Sequence, residues 1–328
     1  MRESVKRIRP SSGFTRSVGG VLVFDKPTGI SSYDVIRIVK GRLAPRKIGH
    51  TGTLDPLASG VLPIVINGAT KAIPFLDERV KRYEGTLRLG VVTDTDDSTG
   101  RVLKETPLSE SVLTDDRIER VFGRFVGRIK QVPPMFSAVK HQGTPLYELA
   151  RRGIQVDRQP KEVEVFSLEI SQIDSPMVDF IVSCSRGTYV RTLCKQVGDA
   201  LGPGAHLCRL RRTKSGPFSL EHSLNLEEFE RLVDRGEIDK RIVTVREALG
   251  SMPEIEIGAD LSGRIRNGRQ VFLRDLKGLT VPQLDRNQSV KILYEGEIVA
   301  IAKTRMSDND LSAQIPDVPA FSLLRVFA

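Results

Sequence analysis

The chain has 328 residues and a net charge of +9, with an isoelectric point near 9.6. That length is more than one ordinary hydrophobic core needs, so we expect two domains, or one large domain with an appendage. The excess of Lys and Arg indicates a polyanion as the partner. The three cysteines have no CxxC spacing, which argues against a disulfide framework and favours reduced thiols in the cytoplasm. The sequence has no apolar run long enough to cross a bilayer, which argues against a membrane protein.

The chain begins with a basic stretch that has no apolar segment. Residues 1–17 include Arg2, Lys6, Arg7, Arg9 and Arg16. We expect a flexible arm, and a solvated tail is the favoured interpretation over a specific contact with a polyanion.

Strand and helix patterns then alternate irregularly. A β-branched run over residues 20–26 ends at Pro27, and Ser31 or Ser32 offers an N-cap to a helix. The buried side of that helix is predicted to carry Val35, Ile36, Ile38, Val39 and Leu43. A glycine-rich loop over residues 49–60 leads into a strand over residues 61–66. Further strands are predicted at residues 81–89, 161–173 and 179–184, and helices at 115–126, 146–152, 188–201, 226–233 and 245–249. Without regular βαβ alternation, these elements predict an α+β domain, residues 18–250, with a mixed, largely antiparallel sheet.

After Gly250 the pattern changes to short strands and turns. Strands are predicted at residues 254–257, 270–273, 289–294, 298–302 and 322–327. Such spacing is typical of a small β-barrel, which would make residues 251–328 a second domain.

The glycine-rich loop surrounds one carboxylate, Asp55, with small residues, and Pro56 stiffens the turn that follows. The backbone there can approach a ligand closely, as a catalytic loop requires. From loop chemistry alone, a purely structural Gly-Asp-Pro turn is the more common interpretation.

Five segments together resemble a known family. They are Lys26-Pro27 followed by residues 29–32, residues 47–62, residues 81–83, residues 187–191 and residues 204–212. In order and spacing they are similar to the TruB transfer RNA pseudouridine synthases, from Val21 to about residue 250. The resemblance implies the pseudouridine synthase fold for the catalytic domain and a PUA-like RNA-binding barrel for the carboxy-terminal strands.

The resemblance also implies roles for individual residues. Asp55 would be the essential carboxylate, and Arg191 would form an ion pair with it and lower its pKa. Tyr83 would stack on the everted uracil and relay a proton, and His50 would hold the disrupted RNA loop open. Further substrate-binding positions are Tyr189, Leu210, Lys26 and Pro27.

The implied reaction moves uracil from an N1 to a C5 attachment. It involves no redox change and no nucleotide hydrolysis, so no cofactor is expected, and the scattered histidines predict no metal site. Asp55 could attack the uracil ring, attack the sugar, or act as a base at the sugar, and the sequence does not separate these routes.

Basic residues flank the proposed pocket. Residues 117–161 carry ten basic side chains against three acidic ones, and residues 186–214 carry seven against one. Phosphate contact by such residues is independent of base sequence. The candidate RNA contacts are Lys140, Arg151, Arg152, Arg211 and Arg212.

Residues 124–153 resemble the insertion that bacterial members of this family fold over the transfer RNA T arm. The chain is therefore expected to act as a monomer, without an obligate protein partner, on uridine 55 of transfer RNA. Two alternatives stay open: a non-catalytic protein that binds and folds transfer RNA, and a guide-RNA-dependent synthase subunit.

Overall fold

The computed structural model describes residues 19–76, 79–108, 114–305 and 318–327, so the predicted arm at residues 1–17 lies outside the described residues. The strands are β1 (Gly20–Lys26), β2 (Ile48–His50), β3 (Ser59–Ile66), β4 (Val80–Leu89), β5 (Val91–Thr93), β6 (Val102–Glu105), β7 (Gly127–Gln131), β8 (Lys140–His141), β9 (Thr144–Pro145), β10 (Lys161–Asp174), β11 (Met177–Ser185), β12 (Ala205–Ser215), β13 (Phe218–Ser219), β14 (Glu254–Glu256), β15 (Ser289–Tyr294), β16 (Glu297–Thr304) and β17 (Phe321–Val326). The α-helices are α1 (Ser32–Leu43), α2 (Asp115–Gly123), α3 (Leu146–Arg151), α4 (Val190–Leu201), α5 (Leu226–Asp234), α6 (Val245–Ala248) and α7 (Ala259–Arg266). Within the described ranges, every helix lacks the length or the apolar character needed to span a membrane.

One large sheet organises the first 250 residues. Its strand order is β1-β3-β12-β4-β11-β10-β7, with β2 paired to β3 and β13 paired to β12. Only the short pairing of β3 with β12 is parallel, and the other ladders of this sheet are antiparallel. The prediction of an α+β fold with a mixed, largely antiparallel sheet is confirmed.

Helix α1 forms where the local sequence supplies an N-terminal cap and an apolar face. Helix α1 begins after Ser31, whose hydroxyl accepts from the Asp34 N–H, and the Asp34 carboxylate accepts from the Ser31 N–H in return. The helix buries Val35, Val39 and Leu43, which are spaced four residues apart, against the sheet.

Several elements differ from the sequence-based expectation. Strand β12, at the centre of the sheet, was not predicted, because its many basic residues do not look like a buried strand. The predicted loop begins later than expected, since Gly49 and His50 belong to β2. Helix α2 ends at Gly123, and the unpredicted edge strand β7 follows it.

The carboxy-terminal part has its own core and a four-stranded sheet of order β14-β15-β16-β17, with α7 packed beside it. The prediction of a strand at residues 270–273 is wrong. Phe272 forms only an isolated β-bridge, and residues Leu273–Leu276 form a short 3-10 helix. Helix α7 was not predicted. A further apolar cluster joins this part to the large sheet, with Ile301 packed among Val21, Val61 and other residues of β1 and β3.

Candidate active site

Asp55 lies in the loop between β2 and β3, and backbone contacts fix the shape of that loop. The carbonyl oxygen of Pro56 accepts a hydrogen bond from the Gly29 N–H at 2.8 Å. The Ser32 hydroxyl both accepts from the Leu54 N–H at 2.9 Å and donates to the Leu54 carbonyl at 3.1 Å. The start of helix α1 therefore holds the loop on the amino-terminal side of Asp55.

Arg212, on strand β12, supports the same loop through its buried side chain. Its side chain is 0% exposed, and its guanidinium donates to the carbonyl oxygens of Gly52 at 3.0 Å, Thr53 at 3.4 Å and Val61 at 2.7 Å. At Gly60, φ is +104°, and a Cβ there would lie 2.2 Å from the Arg212 carbonyl oxygen, so only glycine fits. The folded loop covers this guanidinium, so Arg212 has a structural role here, and its contact with RNA stays a prediction.

The loop opens into a cavity of about 410 Å³. Residues from the β2–β3 loop, β4, the insertion, the start of α4 and β12 line it. Six of the residues singled out by the sequence meet there: Asp55, Arg191, Tyr83, His50, Tyr189 and Leu210.

Asp55 and Arg191 form an ion pair at this cavity. The Nε atom of Arg191 lies 2.9 Å from Oδ2 of Asp55, although the N–H is not aligned for a hydrogen bond. The Arg191 side chain is 4% exposed and also donates to the carbonyl oxygens of Thr95 at 3.1 Å and Phe136 at 2.9 Å. The guanidinium is thus held from several sides and presented to the carboxylate.

A second carboxylate, Asp97, completes this network and was not singled out by the sequence. Its Oδ2 lies 3.4 Å from Nη1 of Arg191, while its Oδ1 accepts from the hydroxyl of Thr95 and from the N–H and hydroxyl of Thr99. In sequence this run of acids and hydroxyl residues resembles an exposed turn. Only the folded chain shows that Asp97 is buried beside Arg191.

The electrostatics of Asp55 differ in one respect from the expectation. The side chain is 38% exposed toward the cavity it lines, and burial, the largest influence, raises its pKa above the ordinary value. Arg191 opposes that rise and Asp97 adds to it. Arg191 therefore lowers the pKa of Asp55, as expected, but burial outweighs this influence and leaves the pKa raised.

Three other cavity residues, Tyr83, Tyr189 and His50, keep their neutral forms. Burial raises the pKa of Tyr83 and of Tyr189, so both phenols remain protonated at neutral pH. Burial, with added repulsion from Arg212 and Lys81, lowers the pKa of His50. His50 lines the cavity as a neutral imidazole, and its Nδ1 is buried without a hydrogen-bond partner among the described residues.

Two predicted substrate-binding residues lie outside the cavity lining. Lys26 is 0% exposed, and its ammonium donates to the carbonyl oxygens of Pro27 at 2.8 Å and Ile30 at 2.7 Å, so it supports the turn before α1. Burial lowers the pKa of Lys26 to about 8, although the nearby Asp55 opposes this. Pro27 is exposed on that turn and does not line the cavity. In this structure Lys26 therefore supports the turn, and its contact with substrate stays a prediction.

The remaining candidate RNA contacts are on the surface. Lys140, Arg151 and Arg152 are exposed in the insertion, with the Arg151 guanidinium 5.5 Å from the ring centre of Tyr147. Arg211 is partly exposed, pairs with Asp25 at 2.7 Å and lines a neighbouring cavity of about 860 Å³. These positions are available to a polyanion.

The sequence matches two family models. Residues 40–190 match the TruB family pseudouridylate synthase amino-terminal domain, and residues 191–250 match the tRNA pseudouridylate synthase B carboxy-terminal domain. Among curated proteins, tRNA pseudouridine synthase B of Geotalea uraniireducens is 44% identical over 87% of this chain and 91% of its own length. That of Geobacter sulfurreducens is 42% identical over 94% of this chain and 99% of its own length.

Solved structures share the fold. A Cbf5-Nop10-Gar1 complex contains a chain that is 28% identical with a TM-score of 0.71, covering 98% of this chain and 88% of that one. An H/ACA ribonucleoprotein bound to a substrate RNA containing 2'-deoxyuridine contains another, 26% identical with the same TM-score, covering 94% and 85%. These chains share the α+β fold of this protein, including its mixed sheet.

Proposed function

This chain belongs to the TruB family of pseudouridylate synthases, and from that membership we propose that it converts uridine 55 in the T loop of transfer RNA to pseudouridine. One observation carries the proposal: Asp55 and Arg191 form an ion pair at a cavity that Tyr83, Tyr189 and Leu210 also line. The related proteins named tRNA pseudouridine synthase B support transfer RNA as the substrate.

The cavity suits a single everted nucleoside. Its volume of about 410 Å³ leaves room for a nucleoside, and extracting a base from a folded loop costs a few kcal/mol. We propose that Tyr83 stacks on the uracil and that His50, which lines the same cavity, occupies the place the base leaves. Exclusion of water by these side chains strengthens the charge interactions of Asp55.

The reaction is an isomerisation. The bond between C1' of the ribose and N1 of uracil breaks, a bond between C1' and C5 forms, the proton on C5 leaves and N1 gains one. The ionised Asp55 supplies the electron pair that starts this exchange, as a nucleophile or as a base. No oxidant or nucleotide is consumed, and we propose that no cofactor takes part.

Two observations favour independent action over guide-dependent action. The similar proteins named tRNA pseudouridine synthase B are 37–44% identical, whereas the chains in the ribonucleoprotein and Cbf5 structures are 26–28% identical. The insertion at residues 124–153, which contains β7 and α3, also offers exposed basic residues that could hold the T arm directly. We propose a monomer working in the cytoplasm without an obligate partner.

The purified wild-type chain should modify an unmodified transfer RNA transcript without any guide RNA. We expect one pseudouridine, at position 55, detected by carbodiimide mapping, and a T-arm hairpin should suffice because loop shape supplies recognition. A transcript with cytidine at position 55 is the matched control. Product that appears only when a guide RNA is added would contradict independent action, and no product under either condition would contradict the catalytic proposal.

We also propose that residues 251–328 form a PUA-like RNA-binding domain. Its separate apolar core and four-stranded sheet support a folding unit, and its packing against β1 and β3 would hold it at a fixed distance from the cavity. Such a unit would contact transfer RNA away from the T loop. Closure of the sheet into a barrel remains a prediction.

The exposed basic residues of the insertion should contribute phosphate contacts. We expect Arg151→Ala combined with Arg152→Ala to weaken transfer RNA binding and to reduce the slope of log Kd against log salt by about one unit per lost contact. The maximal rate should stay nearly constant, because neither residue lines the cavity. Lys240→Ala is the control: this exposed lysine pairs with Glu237 and lies outside both basic stretches. An unchanged slope in the double variant would remove these residues from the RNA surface.

A further inference from the structure

A buried glutamine joins the insertion to the active-site turn. Gln131 is the last residue of β7, the edge strand from which the insertion continues, and its side chain is 1% exposed. Buried amides are retained where their donor and acceptor are both satisfied. The partners of Gln131 therefore indicate what it does.

Both polar atoms of the Gln131 amide bond the backbone of one residue. Its Oε1 accepts from the Tyr189 N–H at 2.9 Å, and its Nε2 donates to the Tyr189 carbonyl at 3.2 Å. Tyr189 is the N-cap of α4, and no side chain caps that helix end. The amide thus adds a donor to the Tyr189 carbonyl, which also accepts from the Leu193 N–H at 3.0 Å, and gives the Tyr189 N–H an acceptor.

The segment after Gln131 returns to the same site. The Phe136 carbonyl accepts from Nη2 of Arg191 at 2.9 Å, and Ser137 and Ala138 line the Asp55 cavity. Arg158 donates to the Pro133 carbonyl at 2.9 Å and so holds the intervening turn. The insertion therefore contacts the start of α4 both at the Tyr189 backbone, through Gln131, and at the Arg191 guanidinium, through the Phe136 carbonyl.

We propose that Gln131 is a positioning residue, which clamps the backbone of Tyr189 and thereby holds Arg191 in register with Asp55. This rests on the proposed function, since the reaction it supports is pseudouridine formation. Gln131 does not line the cavity, so it acts through the turn. A displacement of about 1 Å at a reacting group can cost about 10²-fold in rate.

The clamp has an electrostatic consequence. Arg191 from α4, Asp97 from the turn after β5 and Lys26 from the end of β1 act on Asp55. A loosened Arg191 would offset less of the rise in the pKa of Asp55 that burial causes. The acid limb of the rate profile would then move to higher pH, which a simple loss of fold stability would not produce.

The test uses full-length variants of two glutamines that both bond backbone near this junction. Gln131→Ala removes the clamp, and Gln131→Glu keeps its size and the acceptor while losing the donor. Gln196→Ala is the matched control, because Gln196 lies on α4 and donates to the Lys130 carbonyl at 2.9 Å without touching the Tyr189 turn. Each is measured for single-turnover rate at saturating transfer RNA, for transfer RNA affinity, for pH dependence and for Tm.

For Gln131→Ala we expect a rate lower by about 10- to 100-fold, an acid limb at higher pH and an affinity within about threefold of wild type. Gln131→Glu should show a rate loss as well, and it decides the question if the alanine variant fails to fold. Gln196→Ala should stay within about threefold of wild type. The proposal is overturned if the Gln131 variants match Gln196→Ala, if only affinity falls, or if the rate falls with an unmoved acid limb. An inactive wild type would instead refute the proposed function.

Discussion

Replacing Asp55 with asparagine should lower pseudouridine formation by at least about 10⁴-fold, the scale seen when a reacting carboxylate or nucleophile is removed. Asparagine has nearly the same shape but offers neither a negative charge nor an electron pair of comparable basicity. The fold should survive, because Arg191 keeps its bonds to the Thr95 and Phe136 carbonyls and its ion pair with Asp97. The measurement is single-turnover pseudouridine formation on an unmodified transcript.

Affinity for transfer RNA separates catalysis from binding in that variant. We expect the Kd of Asp55→Asn to stay within about threefold of wild type, since phosphate contacts lie elsewhere and dominate binding. Asp94→Asn is the control: Asp94 is an exposed carboxylate whose bond to the Arg101 N–H caps a turn, and its loss should leave the rate nearly unchanged. Product formation by Asp55→Asn at a comparable rate would refute the catalytic assignment.

The same inactive variant distinguishes a second role. From the sequence we also expect a secondary role in assisting transfer RNA folding, because opening and releasing the T loop also remodels the RNA. If that is so, Asp55→Asn should still accelerate folding of a misfolded transcript. Loss of that acceleration, with binding retained, would limit the protein to its chemistry.

The sequence predicted the helices and strands whose formation depends on neighbouring residues, such as a capping residue or a regular apolar pattern. Helix α1 has a capping box at Ser31 and a regular apolar face, and strand β3 is an apolar run, so both were predicted within a few residues. The cavity was predicted by a different signal. The positions of Asp55, Tyr83 and Arg191 match the motifs of one family, whereas their chemistry alone favours structural interpretations.

The elements that were missed depend on contacts between distant parts of the chain. Strand β12 contains Arg212, whose buried guanidinium is tolerable only because the β2–β3 loop supplies carbonyl oxygens to it. Asp97 comes into contact with Arg191 only when the turn after β5 lies against α4. Neither arrangement leaves a periodic signal, and charged residues in a window argue for solvent exposure.

Replacing Arg191 should be the second most damaging change at this site. We expect Arg191→Gln to lower the rate by about 10²- to 10³-fold, the usual cost of removing one preorganised charge partner from a reacting group. The loss also leaves Asp97 and the Thr95 and Phe136 carbonyls without a cation. Arg191→Lys retains the charge but not the planar fork that reaches these groups together, so its rate should also fall.

The pH profile distinguishes the charge of Arg191 from its geometry. Burial raises the pKa of Asp55 and Arg191 opposes that rise, so removing the guanidinium raises the pKa further. A smaller fraction of Asp55 is then ionised at any given pH, and the acid limb of kcat/KM moves to higher pH in Arg191→Gln, with partial recovery under alkaline conditions. In Arg191→Lys the positive charge remains, so the limb should shift less while the rate stays low. An acid limb that is identical in wild type and Arg191→Gln would show that ionisation of Asp55 does not control the rate. The catalytic role of this ion pair would then be wrong, even if both residues proved essential for folding.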